Sequence, residues 1–197
     1  MIMLLTVLIL TGGSAPLNGT TDGGGIVINE IMIDPLASSS TEMGQWIEVH
    51  NNSSDWVNLS DWTIENQNGE EIEFSSHVIP PDGYFVVGAS ALTGDNGNYT
   101  PDAVWSSFSL SLSGSLQLNC INADSEEFFS WNSSWDLEPG ASLERLNPGW
   151  AAYDRESWLH STSVFGDGDL GTPGDQNSVF SNGFGQNTWA FIKAFVH

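Results

Sequence analysis

The stretch Trp62-Thr63-Ile64-Glu65-Asn66-Gln67-Asn68-Gly69-Glu70-Glu71-Ile72-Glu73-Phe74 decides the fold. Asn68-Gly69 is the pair favoured in a two-residue hairpin loop, because both residues tolerate the positive φ that such a turn demands. Trp62-Thr63-Ile64-Glu65 leads into it, and the chain returns through Glu71-Ile72-Glu73-Phe74 with Ile72 and Phe74 on one face. Alternation with period two marks a half-buried strand, since successive side chains point to opposite faces of a sheet. The stretch therefore predicts an antiparallel hairpin with one face turned to a core.

The same pattern recurs on both sides. Residues 26–33 are rich in β-branched side chains and stop at Asp34-Pro35, so they predict a first strand. Residues 45–50 predict a second, closed by the polar run from Asn51 to Asp55. After the turn Pro80-Pro81-Asp82-Gly83, the near-continuous apolar run Tyr84-Phe85-Val86-Val87-Gly88 suits a central strand. Further strands are expected near residues 110–112, 115–120, 127–131 and 142–146, with polar loops at 36–44 and 94–102. No stretch sustains helical periodicity. Many short strands separated by turns predict an all-β sandwich or barrel. Nine Trp and ten Phe among 197 residues can fill its core.

The two ends read differently. Residues 1–10 are apolar and lead into Thr11-Gly12-Gly13-Ser14-Ala15, the order of a signal peptide over residues 1–15. A buried first strand or helix is the competing reading. Residues 16–25 form a polar, Gly-rich linker, residues 26–177 the domain, and residues 178–197 a tail. The tail closes on the apolar run 189–197, a candidate for docking or weak self-association. Neither apolar run approaches the ~20 residues that a membrane-spanning helix needs. The expected location is secreted or at the cell surface.

Composition narrows the partners. Three basic residues face 25 acidic ones, a formal net charge of -22. Nucleic-acid binding draws its affinity from Lys and Arg displacing counterions, so this surface disfavours it. Anionic membranes are disfavoured likewise. Basic proteins, cations and neutral glycans remain, beside the plain reading that acidity keeps the protein soluble. The single cysteine, Cys120, excludes an intrachain disulfide and alternates with Leu116 and Leu118 as a buried strand residue would.

Motifs for catalysis are missing. His50, His77, His160 and His197 are scattered, and neither a nucleophile elbow nor a phosphate-binding loop occurs. No enzyme activity and no cofactor are expected. The acidic turn Asp167-Gly168-Asp169, with Asp175, resembles the start of a calcium loop. Gly171 and Ser178 stand where further ligands belong, and a solvated Gly-Asp turn competes with the site. Trp131 and Trp135 bracket Asn132-Ser133-Ser134, either as a ligand-recognition surface or as core. Six Asn-x-Ser/Thr sequons begin at Asn18, Asn51, Asn52, Asn58, Asn98 and Asn132.

Several short motifs recur in a telling order: Ile28-Asn29-Glu30-Ile31, Trp46-Ile47-Glu48-Val49-His50-Asn51, Val57-Asn58-Leu59-Ser60-Asp61-Trp62-Thr63-Ile64 and Ile79-Pro80-Pro81-Asp82-Gly83-Tyr84. Ser142-Leu143-Glu144-Arg145, Trp158 and Gly171-Thr172-Pro173-Gly174 with Asn177 complete the series. In that order they resemble the lamin-tail domain family over residues 26–177, in its bacterial and archaeal exported form. The resemblance implies an immunoglobulin-like β-sandwich and a non-catalytic module of exported proteins, often beside hydrolase domains. The basic tails through which nuclear lamins meet chromatin have no counterpart in this acidic chain.

One residue carries a sharp structural expectation. Alternation in Ser142-Leu143-Glu144-Arg145-Leu146 puts Arg145 on the side of Leu143, at or near the core, where a guanidinium must be paired. Glu30 and Glu48, each embedded in an apolar strand, are the expected acceptors. The expected function is an exported binding or scaffolding module that presents loops to a protein or glycan. The alternatives are a subunit of a surface assembly and a hydrolase working through acidic residues.

Overall fold

A computed structural model describes residues 25–122 and 125–181. Twelve strands run in chain order: β1 (Ile26–Met32), β2 (Trp46–Asn51), β3 (Val57–Asn58), β4 (Trp62–Asn66), β5 (Glu71–Glu73), β6 (Val78–Ile79), β7 (Tyr84–Gly88), β8 (Ala103–Val104), β9 (Gly114–Cys120), β10 (Ser125–Trp131), β11 (Leu143–Arg145) and β12 (Trp158–His160). One sheet has the order β12-β11-β1-β2-β7-β8 and a second the order β10-β9-β4-β5, with β3-β6 as a small ribbon. The pairings are antiparallel except β7 with β8. One buried cluster draws on both larger sheets, with Ile31, Ile47, Val87 and Leu143 from the first and Ile64, Leu118 and Phe129 from the second. This is an all-β, immunoglobulin-like sandwich.

The hairpin forms, but its loop is the three residues Gln67-Asn68-Gly69 rather than the expected pair: Asn66 N–H donates to Glu70 O at 2.9 Å, and Gly69 alone takes a positive φ. Ile64 pairs with Ile72, Gly69 takes φ +75°, and its N–H donates to Asn66 O at 3.0 Å. The segment 110–112 is not a strand. The Gln45 side chain takes both backbone groups of Leu110, donating to its O at 2.7 Å and accepting its N–H at 3.0 Å. A side-chain amide has replaced the ladder there. Strands β3, β6, β8 and β12 are two or three residues long, too short to show a period in the sequence.

Two irregularities position the rest. In β1 the register against β2 shifts between Ile28 and Glu30, so Asn29 is the extra residue of a β-bulge. Without it, Ile28 and Glu30 would share a face. With it, Ile28 joins the core opposite Val49, and Glu30 turns outward opposite Glu48. A second, smaller apolar cluster on the outer face contains Met32, Trp46, Val86 and Tyr99, with Phe165 against it. That outer face is not left to solvent, because the chain after β12 folds back over it.

Packing continues past the expected domain boundary at residue 177. Val179 N–H donates to Glu144, and Ser181 N–H to Leu146 O at 2.8 Å. The signal-like segment 1–15, most of the linker and the apolar run 189–197 lie outside the described residues.

Candidate functional site

Outer-face alternation brings three carboxyl groups into one row across adjacent strands. Glu30 in β1 sits opposite both Glu144 in β11 and Glu48 in β2. Each of the three is 0% exposed. Residues 171–179 cross above them as a strap that forms no strand of its own. The strap is held by the row itself. Thr172 N–H donates to Glu30 Oε1 at 2.9 Å, Gly174 N–H to Glu48 Oε2 at 2.6 Å, and Val179 N–H to Glu144 Oε2 at 3.0 Å. Three amides that have no sheet partner thus find three carboxyls that meet no cation among the described residues.

Side chains complete the seal. Ser142 Oγ donates to Glu30 Oε1 at 2.5 Å, and Ser178 Oγ to Glu144 Oε2 at 2.8 Å. Asn29, freed by the bulge, donates to Glu48 Oε1 at 2.8 Å and to Asn177 Oδ1 at 2.7 Å. Asn177 Nδ2 donates in return to Asn29 O at 3.1 Å and to Arg145 O at 2.8 Å. The sequence motifs around Asn29-Glu30, Glu48, Ser142–Arg145 and Gly171–Asn177, spread over 149 positions, meet in this one place.

Burial dominates the electrostatics. It pushes the Glu30 carboxyl up to about 8, and the neighbouring Glu144 adds to the rise against hydrogen bonds from Ser142 and Thr172. Glu48 is also held well above the ordinary carboxylate range, by burial first and by Glu30 second. Sealed from solvent, these groups cannot meet a substrate, so their perturbed protonation is structural rather than catalytic.

The expected ion pair forms with a different partner. Arg145 is buried at 2% exposure on the core side, as alternation required, and opposes Trp158 across β11–β12. Its Nη1 lies 2.7 Å from Glu127 Oε1, not on Glu30 or Glu48. The reason is the sheet itself: Glu30, Glu48 and Glu144 face outward, and Arg145 faces inward. Glu127 arrives from β10 in the opposing sheet, and its other oxygen accepts Ile28 N–H at 2.7 Å. Arg145 also donates to Ile28 O at 3.0 Å and to Trp150 O. No motif flagged Glu127, since one acidic residue in an acid-rich chain carries no signal without the register of a second sheet.

Two other candidate sets are corrected. Trp131 and Trp135 are 2% and 6% exposed and pack around Phe129 with ring centroids 5.3 Å away in each case. They are core, and Trp131 Nε1 is satisfied by Ser111 O at 2.8 Å. The calcium candidates do not converge. Asp169 is buried and accepts the N–H groups of Leu36 and Ala37, Asp167 accepts from Asn98 Nδ2 at 3.1 Å, and Asp175 accepts Gln176 N–H. Among the described residues no group of three or more His, Cys, Asp or Glu is placed to hold a metal ion. The acidic turn is not simply solvated, because buried Asp169 ties it to the loop at residues 36–37.

Above the strap lies an open groove of about 710 Å³. Its walls include Asn98, Thr100 and Ser163, the Phe165 ring with the buried Tyr99 behind it, and Thr172, Pro173, Asp175 and Gln176 of the strap. No helix among the described residues is long and apolar enough to cross a membrane.

A search of curated proteins finds no match to this chain. The family model described as Lamin Tail Domain matches residues 20–133, more than half of the 197 residues. The match takes in the bulged β1 motif and Glu48. With the all-β sandwich of non-catalytic, immunoglobulin-like type around them, it establishes that the chain belongs to the lamin tail domain family.

Proposed function

We infer that this protein is an exported, non-catalytic binding module whose outer-face groove takes a neutral glycan. The observation that carries the reading is the groove's lining. Uncharged amides and hydroxyls from Asn98, Thr100, Ser163 and Gln176 stand beside the half-buried Phe165 ring, with Asp175 as the one charged member of the lining. Apolar ring surface combined with a few fixed polar groups is the chemistry of a small-ligand site. Sugars present the matching surface, with hydroxyls at the edge and C–H groups on the face. The net charge of -22 favours an uncharged ligand over an anionic one. The apolar start followed by small residues supports export.

Titration of the protein with neutral oligosaccharides, followed by amide chemical shifts, tests the binding. The expected result is shifts confined to residues 98–100, 163–166 and 171–176, weakened at least about fivefold by Gln176→Ala with Asn98→Ala, a loss of roughly 1 kcal/mol for removed hydrogen bonds. Absence of shifts across a broad neutral-glycan set, or capture of a protein through another face, refutes the groove reading. Intact mass of secreted protein that still begins at Met1 refutes cleavage of the leader.

A further inference from the structure

We propose that residues 171–179 are a proton-operated latch: the strap stays closed over the sheet while the Glu30–Glu48–Glu144 row retains a proton, and alkaline pH releases it by giving the row its full negative charge. The latch stands on the hydrogen bonds alone. That its release alters the groove's affinity rests on the glycan reading, because the strap is one wall of the groove.

The hydrogen count requires a proton. The Thr172 hydroxyl lies 2.7 Å from Glu30 Oε2 and 3.1 Å from Glu144 Oε1. A hydroxyl has one hydrogen to donate. Two full, linear hydrogen bonds here need a second hydrogen, which a protonated Glu30 supplies by donating to the Thr172 oxygen while the Thr172 hydroxyl turns to Glu144. Take that proton away and one contact becomes an apposition of lone pairs, in a site with no water access to relieve it.

Among the described residues nothing positive faces the row. Among the described residues the cations are Arg145 and Arg155. Arg145 points to Glu127 on the other side of the sheet, and Arg155 donates to Trp158 O and Trp135 O. From β7, Tyr84 faces Glu48, and its hydroxyl is pushed up to about 12 by burial, with Glu48, Asp175 and Asp82 adding to the rise. The strap contributes Asp175, the β7–β8 connection contributes Asp102 on Val86 N–H at 2.8 Å, and β12 places Leu159 opposite Glu144. His50, on the same face of β2, is shifted down by burial, toward its uncharged form. The titratable neighbours from every side are therefore acidic or neutral. Neighbouring strands are only about 4.8 Å apart, so a fully ionised row places like charges side by side with no counterion. Relief comes from letting water in, and the strap is the cover that can lift without breaking a sheet.

Hydrogen exchange read by mass spectrometry on the free protein tests this. Exchange of the segment 171–181, corrected for the intrinsic effect of pH, is expected to accelerate at least about tenfold between pH 6 and pH 9, the factor for each pH unit by which strap closure raises proton affinity. Segments within β2 and β7 are expected to stay protected. Glu30→Gln, a neutral isostere, is expected to remove the acceleration. A strap whose corrected exchange is flat over that range, or a Glu30→Gln protein that keeps the full acceleration, overturns the latch. Carboxyl carbon shifts of the unmodified protein are an independent reading should the variant not fold. At least one Glu is expected to titrate above pH 6, and titration of every Glu below that pH overturns the proposal. Because no ligand is present, loss of the glycan reading leaves these outcomes untouched.

Discussion

Replacing Arg145 with Met removes the one described ion pair that joins the two sheets and keeps most of the side chain's volume. Arg145 is 2% exposed, and its charge is met by Glu127 Oε1 at 2.7 Å, by Ile28 O at 3.0 Å and by Trp150 O. The guanidinium carbon also lies 5.9 Å from the Trp158 ring centroid. Breaking a buried pair by deleting one partner costs about 3–5 kcal/mol, because the other charge is left uncompensated. Glu127 retains 17% side-chain exposure and the Ile28 N–H at 2.7 Å, so part of its hydration and one donor survive. The expected loss is therefore about 2–4 kcal/mol. Burial already raises the Glu127 carboxyl despite the arginine, and losing Arg145 drives it further toward the neutral form. Glu127→Gln, which can still accept from Ile28, is expected to cost less, about 1–2 kcal/mol. Urea melts of both single variants and the double variant measure the coupling, with about 1.5 kcal/mol or more expected between the two sites. A loss below roughly 1 kcal/mol for Arg145→Met, the range of an exposed pair, refutes the view that this pair ties the sheets together.

Two further outcomes follow from the same geometry. Because the Glu30 carboxyl is carried from 4.5 to about 8 in the folded protein, its contribution is fully present below pH 4.5 and lost as pH rises through 8. Urea midpoints should fall from pH 5 to pH 8.5 and flatten in Glu30→Gln, and a midpoint that rises over that range contradicts the assignment. At Gly166, φ is +48° and a Cβ would collide with the Gly97 carbonyl oxygen, a backbone atom that cannot swing away. Gly166→Ala should cost about 2 kcal/mol or more in a thermal or urea melt, and a loss under about 0.5 kcal/mol would show that the turn relaxes freely.

The sequence by itself determined the elements that announce themselves locally. The β4–β5 hairpin was legible because its signal, a Gly-containing turn between two alternating runs, is complete within thirteen residues, although the loop closes over three residues rather than two. Tyr84 to Gly88 is a strand, as its apolar run predicted, but it lies next to the short edge strand β8 rather than at the centre of its sheet. The inward side of Arg145 was legible for the same reason, since alternation within one strand settles it. The family motifs were legible as words, but their meeting point was not. Whether Glu30 faces the core or the strap depends on a bulge at Asn29, which shifts every later residue of β1 by one face and which no local pattern marks. The partner of Arg145 depends on how the second sheet lies over the first, and that relation brings in Glu127 from a strand eighteen residues away. Trp131 and Trp135 look alike as ligands or as core until Phe129 and Trp158 close around them. Local chemistry specifies strands and turns through neighbours along the chain. Which side chains share a buried site is set by register between strands and by the packing of sheets, contacts that only the assembled tertiary structure contains.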